Sequence, residues 1–473
     1  MKIINRDEDT ICALATPPGQ GGIGIIKISG PQSFSILKKI FLPYSKRNKK
    51  IKPRYLTYGF IINPQTKEKI DEVLVSYMPK PKTYTREDVV EVSSHSNFLI
   101  LEKILNLILN QGARLAEPGE FTRRAFLNGR IDLTQAEAVC QLVKAQNLAA
   151  FRQAQFHLEG QLSKLIKKIK NKLIEIISYL EVEIDFDDAE KKILTKENLI
   201  KKIQNIKKEI EELINVSYLE KIYQEGIKVA LIGLPNVGKS SLFNSLLKEN
   251  KAIVTHLPGT TRDLVEESIV LEGINIKLID TAGLTDLLED KIDQEAFKKS
   301  ISAIKKADLS LIIFDVSRQN FWTNFFNQVK KSVIKEIKKK PYFLVGNKKD
   351  LIDYQKEKEI RERYPDLILV SAKKNQGIEK IKKIIRDFIL NKERGLNYES
   401  VLVVNTRQKE LLKKTLLALK KALINVKNNF QEELIIFDLK EALSFLFEIT
   451  GESFVNPEEE ILDKIFKNFC VGK

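Results

Sequence analysis

The chain has 473 residues, too many for one hydrophobic core, so two to four domains are expected. Its 79 Lys and Arg against 63 Asp and Glu leave a net charge of +16, which suits an anionic partner such as RNA. Many of the lysines sit in helical Lys/Ile/Glu stretches such as 165–172 and 201–213, where solvated helix faces or a genome-wide composition bias is the competing explanation.

Three cysteines, Cys12, Cys140 and Cys470, are far apart and odd in number, which makes neither a disulfide framework nor a metal cluster and fits a reducing compartment. No apolar run approaches the ~18 residues of a membrane helix; the stretch 98–109 is interrupted by Glu102 and Lys103. Residues 1–9 are acidic and lack the apolar core of a signal peptide or the Arg/Ser character of a transit peptide, so a cytoplasmic protein is expected.

Along the chain, residues 1–120 mix short β-branched runs, at 23–29, 71–77 and 88–93, with turn signals and one helix near 97–110, which predicts a compact α+β module. Residues 121–226 change to long helical periodicity, with Leu, Ile and Ala three and four apart. An α/β segment occupies 227–390, and 391–473 completes the helical part, with helical periodicity returning from Arg407 and apolar positions Leu411, Leu412, Leu416, Leu417 and Leu419 in its first helical segment. Helices on both sides of the α/β segment most simply make one bundle into which that segment is inserted, and two separate helical domains are the alternative. In the inserted arrangement, movement of the α/β segment passes to the body that anchors both its ends.

The α/β segment carries the chemistry. A strand at 227–232 runs into Gly233-Leu234-Pro235-Asn236-Val237-Gly238-Lys239-Ser240 and a helix at 241–247. Glycines at these positions let backbone N–H groups curl around phosphate oxygens, Lys239 reaches the β- and γ-phosphates, and Ser240 holds Mg²⁺. The bland reading is a glycine turn beside a helix. Downstream, an apolar strand ends in Asp280-Thr281-Ala282-Gly283, where Asp280 organises Mg²⁺ through water and the Gly283 N–H senses the γ-phosphate. Asn347-Lys348-Lys349-Asp350 closes another strand, and Asp350 accepts two hydrogen bonds from guanine that adenine cannot offer, selecting GTP over ATP. Ser371-Ala372-Lys373, after a strand at 367–370, supplies the loop that packs on the base. The GTP-contact set is therefore Asn236 to Ser241 with Thr255, Thr260, Thr261, Asp280, Gly283, Asn347, Lys348, Asp350 and Ser371 to Lys373.

Two departures narrow the class. Leu284 stands where Ras-like proteins place the Gln that orients the attacking water, so another group must do so, and the acidic stretch 286–293 is the nearest supplier. Thr261, in the run from Thr255 to Asp263, is the expected switch ligand that completes the Mg²⁺ shell. The loop around Asn236 resembles that of GTPases activated by potassium and dimerisation, in which such an Asn and nearby carbonyls hold K⁺ where an arginine finger would put its charge. An arginine finger is worth about 10³ to 10⁵ in rate, or 4 to 7 kcal/mol of barrier. Arg262 is a rival for that role and otherwise structural.

Over its whole length the chain resembles the MnmE/TrmE family of tRNA uridine-5-carboxymethylaminomethyl modification GTPases. The likeness rests on Asp9-Thr10-Ile11 with the run from Ala15 to Ile25, on Pro118 to Thr122 with Arg124 to Gly129, on Asp132 to Ala138, on Glu448-Ile449-Thr450-Gly451-Glu452 and on Phe469-Cys470-Val471-Gly472-Lys473. The resemblance implies an N-terminal folate-binding module that makes a homodimer, a helical domain and an inserted potassium-dependent G domain. It also implies work with an FAD-dependent partner, using FAD and NADH through that partner, on the wobble uridine of certain tRNAs, with 5,10-methylene-tetrahydrofolate giving the carbon. Carried residue by residue, the folate positions are Lys27, Glu91 and Arg130. The family usually has Arg at the first and often Lys at the last, so charge is kept while fork geometry is exchanged. Asn236, Thr255, Leu257 and Thr260 match the potassium loop, and Ser240 and Thr261 the magnesium ligands. The general-base-like Glu of the family aligns, across a one-residue insertion, with Asp293, a shorter side chain that predicts slower hydrolysis; Glu295 is its rival. Cys470 matches a terminal Cys that invites a catalytic role beside the folate site, and His95, left from a His-rich segment, reads as structural.

A ribosome-assembly GTPase that docks RNA is the alternative, since Pro258 to Asp263 resembles those factors too, but the flanks carry the motifs just quoted instead of an RNA-binding appendage or a second G domain. A dynamin-like membrane remodeller lacks its membrane-inserting segment.

Overall fold

The computed structural model describes residues 9–17, 19, 21–44, 51–145, 147–185, 195–216, 222, 226–248, 266–271, 274–280, 301–329, 331–391, 404–452, 465–467, 469 and 472. The chain gathers into two compact units: residues 1–144, 154–214 and 405–473 form the first, and 145–153 with 215–404 the second.

The first unit is built on a sheet of β1 (Ile11–Leu14), β2 (Gly21–Ser29), β3 (Phe41–Pro43), β4 (Leu56–Ile62), β5 (Lys69–Met78), β6 (Val89–Ser96) and β7 (Arg114–Leu115), in the order β3-β4-β5-β6-β2-β1-β7. Period-two alternation puts Ile26 and Ile28, Val73 and Val75, and Val90 and Val92 on one face. The helices Ser33–Ile40 and Phe98–Asn110 cover that face with Ile36, Leu37 and Ile40 and with Leu101, Ile104 and Ile108. Asn97 caps the second helix by accepting a hydrogen bond from the Leu99 N–H at 2.9 Å.

An ionic cluster ties the N-terminal strand to the helix Glu120–Leu127. Arg124, 3% exposed, meets Asp9 at 2.6 Å, Glu120 at 3.0 Å and Glu87 at 3.1 Å, and Arg114 meets Asp9 at 2.5 Å and Glu120 at 2.6 Å. Burial opposes the charge on Glu120, but hydrogen bonds from Arg114, the Glu117 backbone and Arg124 outweigh it and hold the carboxyl below its ordinary value. Burial instead dominates at Glu87 and pushes its carboxyl up. Cys12 lies in the same core, where burial raises its thiol to about 12.

The helical hairpin Thr406–Lys427 and Glu432–Thr450 packs on the helix Gln161–Asp185. Glu137, on the helix Leu133–Lys144, accepts hydrogen bonds from Arg407 and Gln408 at 2.7 Å each, and Lys170 reaches Glu452 at 2.6 Å. Segments that precede and follow the second unit in sequence thus share contacts. Of the apolar positions that open this helix, Leu411, Leu412 and Leu419 are buried with Thr415 and Ala418, while Leu417 points the other way and is 59% exposed.

The second unit holds β8 (Ile227–Gly233), β9 (Glu266–Leu271), β10 (Ile274–Asp280), β11 (Leu309–Asp315), β12 (Tyr342–Asn347) and β13 (Leu367–Leu369), ordered β13-β12-β11-β8-β10-β9. All neighbours are parallel except β9 with β10. Every residue of β11 is buried, as expected of a central strand with both faces covered. Among the described residues no helix is long and apolar enough to cross a membrane, and no group of three or more His, Cys, Asp or Glu is placed to hold a metal.

Removing Glu137 takes away the carboxylate that Arg407 and Gln408 share, leaving Arg407 only the Glu448 and Ile449 carbonyls. Glu137→Ala is expected to cost about 3 kcal/mol, read as an earlier loss of far-UV dichroism in urea, while Leu417→Ala leaves the midpoint unchanged.

Candidate active site

In the second unit, Gly233, Asp315, Asn347 and Ser371 all lie at or just beyond the C-terminal ends of parallel strands, the place where open α/β sheets bind ligands. β8 turns through residues 234–238 into the helix Lys239–Lys248. Asn236 (φ 63°) and Gly238 (φ 92°) take left-handed conformations that curl this loop. Glycine is required at 238 for a second reason: a Cβ there would lie 2.3 Å from Asn347 Nδ2. The Lys239 ammonium donates to the Gly233 and Leu234 carbonyls at 3.0 and 3.2 Å, and Ser240 and Ser241 are exposed on the first turn of the helix.

Asn347, 2% exposed, is the joint of the site. Its Nδ2 donates to the Val237 carbonyl at 2.9 Å, and its Oδ1 accepts from the Ala372 N–H at 3.0 Å. The Ala372 carbonyl in turn accepts from Ser245 Oγ, on the helix that follows the phosphate-type loop, at 2.7 Å. Ser371 Oγ donates to Asp350 Oδ1 at 2.5 Å, which orients the carboxylate assigned to base reading, and Lys373 stands exposed beside Ala372. Lys348, at φ 65°, places its ammonium 2.7 Å from Asp315 Oδ2.

The structure therefore brings Asn236, Val237, Gly238, Lys239, Ser240, Ser241, Asn347, Lys348, Asp350, Ser371, Ala372 and Lys373 to one end of one sheet. β10 ends at Asp280 on the same side of it. Thr255, Leu257, Thr260, Thr261, Arg262, Gly283, Leu284, Asp293, Glu295 and Cys470 lie outside the described residues.

In the first unit, Lys27 and Arg130 line a cavity of about 480 Å³ with Tyr84, Gln135 and apolar residues that include Val139 and Leu142. Lys27 on β2 faces Glu91 on β6 in register, with Nζ 3.8 Å from Oε1, and its ammonium lies 5.7 Å from the Phe121 ring. The Arg130 guanidinium stacks 4.6 Å over Tyr84, whose phenol burial pushes up, so that it stays neutral despite the opposing influence of Thr122 and Arg130. Gly472 also lines this cavity, and a Cβ on it would lie 2.5 Å from the Leu14 carbonyl. His95 lies elsewhere, largely exposed and paired with Asp71 at 2.8 Å, which raises its pKa.

Residues 133–470 match the MnmE helical domain, and residues 10–130 match the GTP-binding protein TrmE N-terminus. The tRNA modification GTPase MnmE of Thermoanaerobacter sp. (strain X514) is 42% identical over 98% of this chain and 99% of its own. Those of Alkaliphilus metalliredigens and Clostridioides difficile are 42% and 40% identical over the same shares. The chain belongs to the MnmE family of tRNA modification GTPases. It is a GTPase, and its family acts in tRNA modification. Among solved structures, the G domain of the T. maritima FeoB iron transporter aligns at 26% identity over 34% of this chain and 98% of its own, with a TM-score of 0.26.

Within this member of the MnmE family, Asp315 joins the candidate site through Lys348, although no motif singles it out. It is 3% exposed and bonded to Lys348 and to Ser317 Oγ, the latter at 2.5 Å. Burial opposes its charge, yet those hydrogen bonds hold the carboxyl below its ordinary value. The available signal was the same as for Asp280: an apolar strand, here LSLIIFD, ending in Asp.

The role assigned to Asp350 has it offer guanine two acceptors. Asp350→Asn replaces one with a donor that matches the 2-oxo group of xanthine, so GTP affinity is expected to fall at least ~100-fold while xanthosine triphosphate gains, measured by competition against a fluorescent nucleotide. Gly238→Ala is expected to abolish nucleotide binding without loss of far-UV dichroism, because the new methyl group and Asn347 cannot share one position.

Proposed function

We propose that this chain is a potassium-dependent GTPase that works in the cytoplasm as a homodimer. With an FAD-dependent partner that draws on NADH, it forms the 5-carboxymethylaminomethyl group at the wobble uridine of certain tRNAs, taking the carbon from 5,10-methylene-tetrahydrofolate. The observation that supports this reading is the coexistence, in one chain of this family, of strand-end loops joined through Asn347 and a cavity walled by Lys27 and Arg130.

The loop at 233–240 fits a nucleotide phosphate: it is a strand-to-helix turn whose Gly238 position a Cβ would fill. Lys239 and the loop N–H groups take the phosphates, Asp350 reads the base, and Ser371 orients Asp350. Ser240 and Thr261 are assigned to Mg²⁺, and Asn236, Thr255, Leu257 and Thr260 to K⁺. These ions supply positive charge against the negative charge that develops on the transferred phosphoryl group. Asp293, with Glu295 as its rival, orients the attacking water in place of the Gln that Leu284 replaces.

The cavity fits a folate by size, about 480 Å³ against the roughly 300 to 1,000 Å³ of small-molecule sites. Its two cations suit a carboxylate-bearing ligand, and Glu91, through Lys27, sets the orientation of one of them. Cys470 is assigned a role beside this cavity on the family match alone.

Hydrolysis is expected to be markedly faster in K⁺ than in Na⁺, and equal rates in the two salts would sink the potassium assignment. Lys27→Ala and Arg130→Ala are each expected to weaken tetrahydrofolate binding about tenfold, measured by calorimetry. For the biology, mass spectrometry of tRNA nucleosides from cells lacking the protein should find the carboxymethylaminomethyl uridines missing; their persistence refutes the reading.

A further inference from the structure

The nucleotide loops occupy the C-terminal ends of the parallel strands in the second unit, and the opposite ends carry a different surface. Lys305 and Lys306 are exposed just before β11. Lys331, Lys335 and Lys338 stand at i, i+4 and i+7 on the helix Lys331–Lys338, whose other side buries Val333 and Ile337. Lys339 and Lys340 follow immediately before β12, and the Lys340 ammonium is bound to the carbonyls of Lys305 and, at 2.6 Å, Ala307, which brings the two segments together. The acids in these stretches are Asp308 and Glu336. Glu336 pairs with Lys339 at 2.6 Å, and that bond, with the added charges of Lys305 and Lys335, holds its carboxyl below the ordinary value.

Several lysines on the helices of the first unit have acidic partners. In the first unit Lys172 pairs with Glu209, Lys202 with Glu175 at 2.7 Å, and Lys207 with Glu211 at 3.6 Å. Like charges at i, i+4 destabilise a helix, by about 0.2–0.5 kcal/mol per pair, so the row 331/335/338, which Glu336 offsets in part, gains from an anionic partner that meets it. Tyr342, 41% exposed at the start of β12, adds an aromatic face beside the lysines. A protein partner is the weaker candidate, because lysine is depleted at protein–protein interfaces. Spread cations suit a polyphosphate backbone, and an exposed ring offers a face on which an unpaired base can stack.

We propose that the surface formed by residues 305–306, 331–340 and Tyr342 is a docking face for tRNA phosphates, on the side of the sheet away from the nucleotide loops. The inference rests on the tRNA-modifying reading above and names the part of the chain that holds the RNA. Bound there, tRNA leaves the nucleotide loops uncovered.

The test is filter binding of a tRNA transcript to the full chain across a salt series, with Lys331→Glu/Lys335→Glu/Lys338→Glu compared with the unaltered protein. The variant is expected to bind at least ~10-fold more weakly and to lower the steepness of log K against log salt by about 2 to 3, with basal GTP hydrolysis unchanged. A Lys→Gln version of the same three positions should give a smaller loss in the same direction. The control Lys413→Glu/Lys414→Glu/Lys420→Glu, an equal charge change on another helix, should stay within about twofold of the unaltered protein. Unchanged affinity and salt slope in the first variant, or an equal loss in the control, overturns the proposal. So does a loss confined to binding of the FAD-dependent partner. Failure of the unaltered chain to bind tRNA at all contradicts the functional reading itself, and so is told apart from failure of the surface.

Discussion

The candidate nucleotide site depends on one buried amide. Asn347 gives its donor to the loop that follows β8 and its acceptor to the loop that follows β13, and both partners are backbone groups with no freedom to turn elsewhere. In a low-dielectric interior such bonds hold firmly, and leaving either partner unsatisfied costs about 1–3 kcal/mol. The bond also explains the glycine: the amide nitrogen occupies the volume a side chain at 238 would need. Lys348, Asp350 and Ser371 are then placed by short connections from the same joint, and Asp315 closes the arrangement by holding Lys348.

The first unit solves a different problem. Its charged residues are buried as a shared cluster, with Asp9 and Glu120 each serving both Arg114 and Arg124. Such a cluster favours one geometry more than it adds net stability. It fixes the helix Glu120–Leu127, from whose end the chain runs directly to Arg130 at the cavity. Packing of the sheet and positioning of a cation at the candidate ligand site are therefore parts of the same construction.

Local runs were legible in the sequence. The strand before Gly233, the strand ending at Asn347 and the helix after Asn97 were readable because their signals lie within a few residues of one another. What was not legible depended on distant pairing. The strand-end signal marks Asp315 as it does Asp280, but its bond to Lys348 depends on β11 lying between β8 and β12, which sets its end beside Asn347. Glu137 and Arg407 lie 270 positions apart, and neither advertises the other. The helix at 406–427 was legible but not its buried face, because leucines at 411, 412, 416, 417 and 419 subtend too wide an arc to share one face, and Leu417 is exposed. Lys27, Glu91 and Arg130 were named through family resemblance alone, and the sheet order is the physical reason that Lys27 meets Glu91.

The most direct test of the account is the affinity of Asn347→Asp for a fluorescent GTP analogue. The substitution preserves size and the acceptor facing Ala372 but turns the donor facing the Val237 carbonyl into a charged acceptor. With the thermal transition of the protein retained, affinity is expected to fall at least ~100-fold, equivalent to about 2.7 kcal/mol. Binding as tight as that of the unaltered chain would contradict the claim that this amide assembles the site.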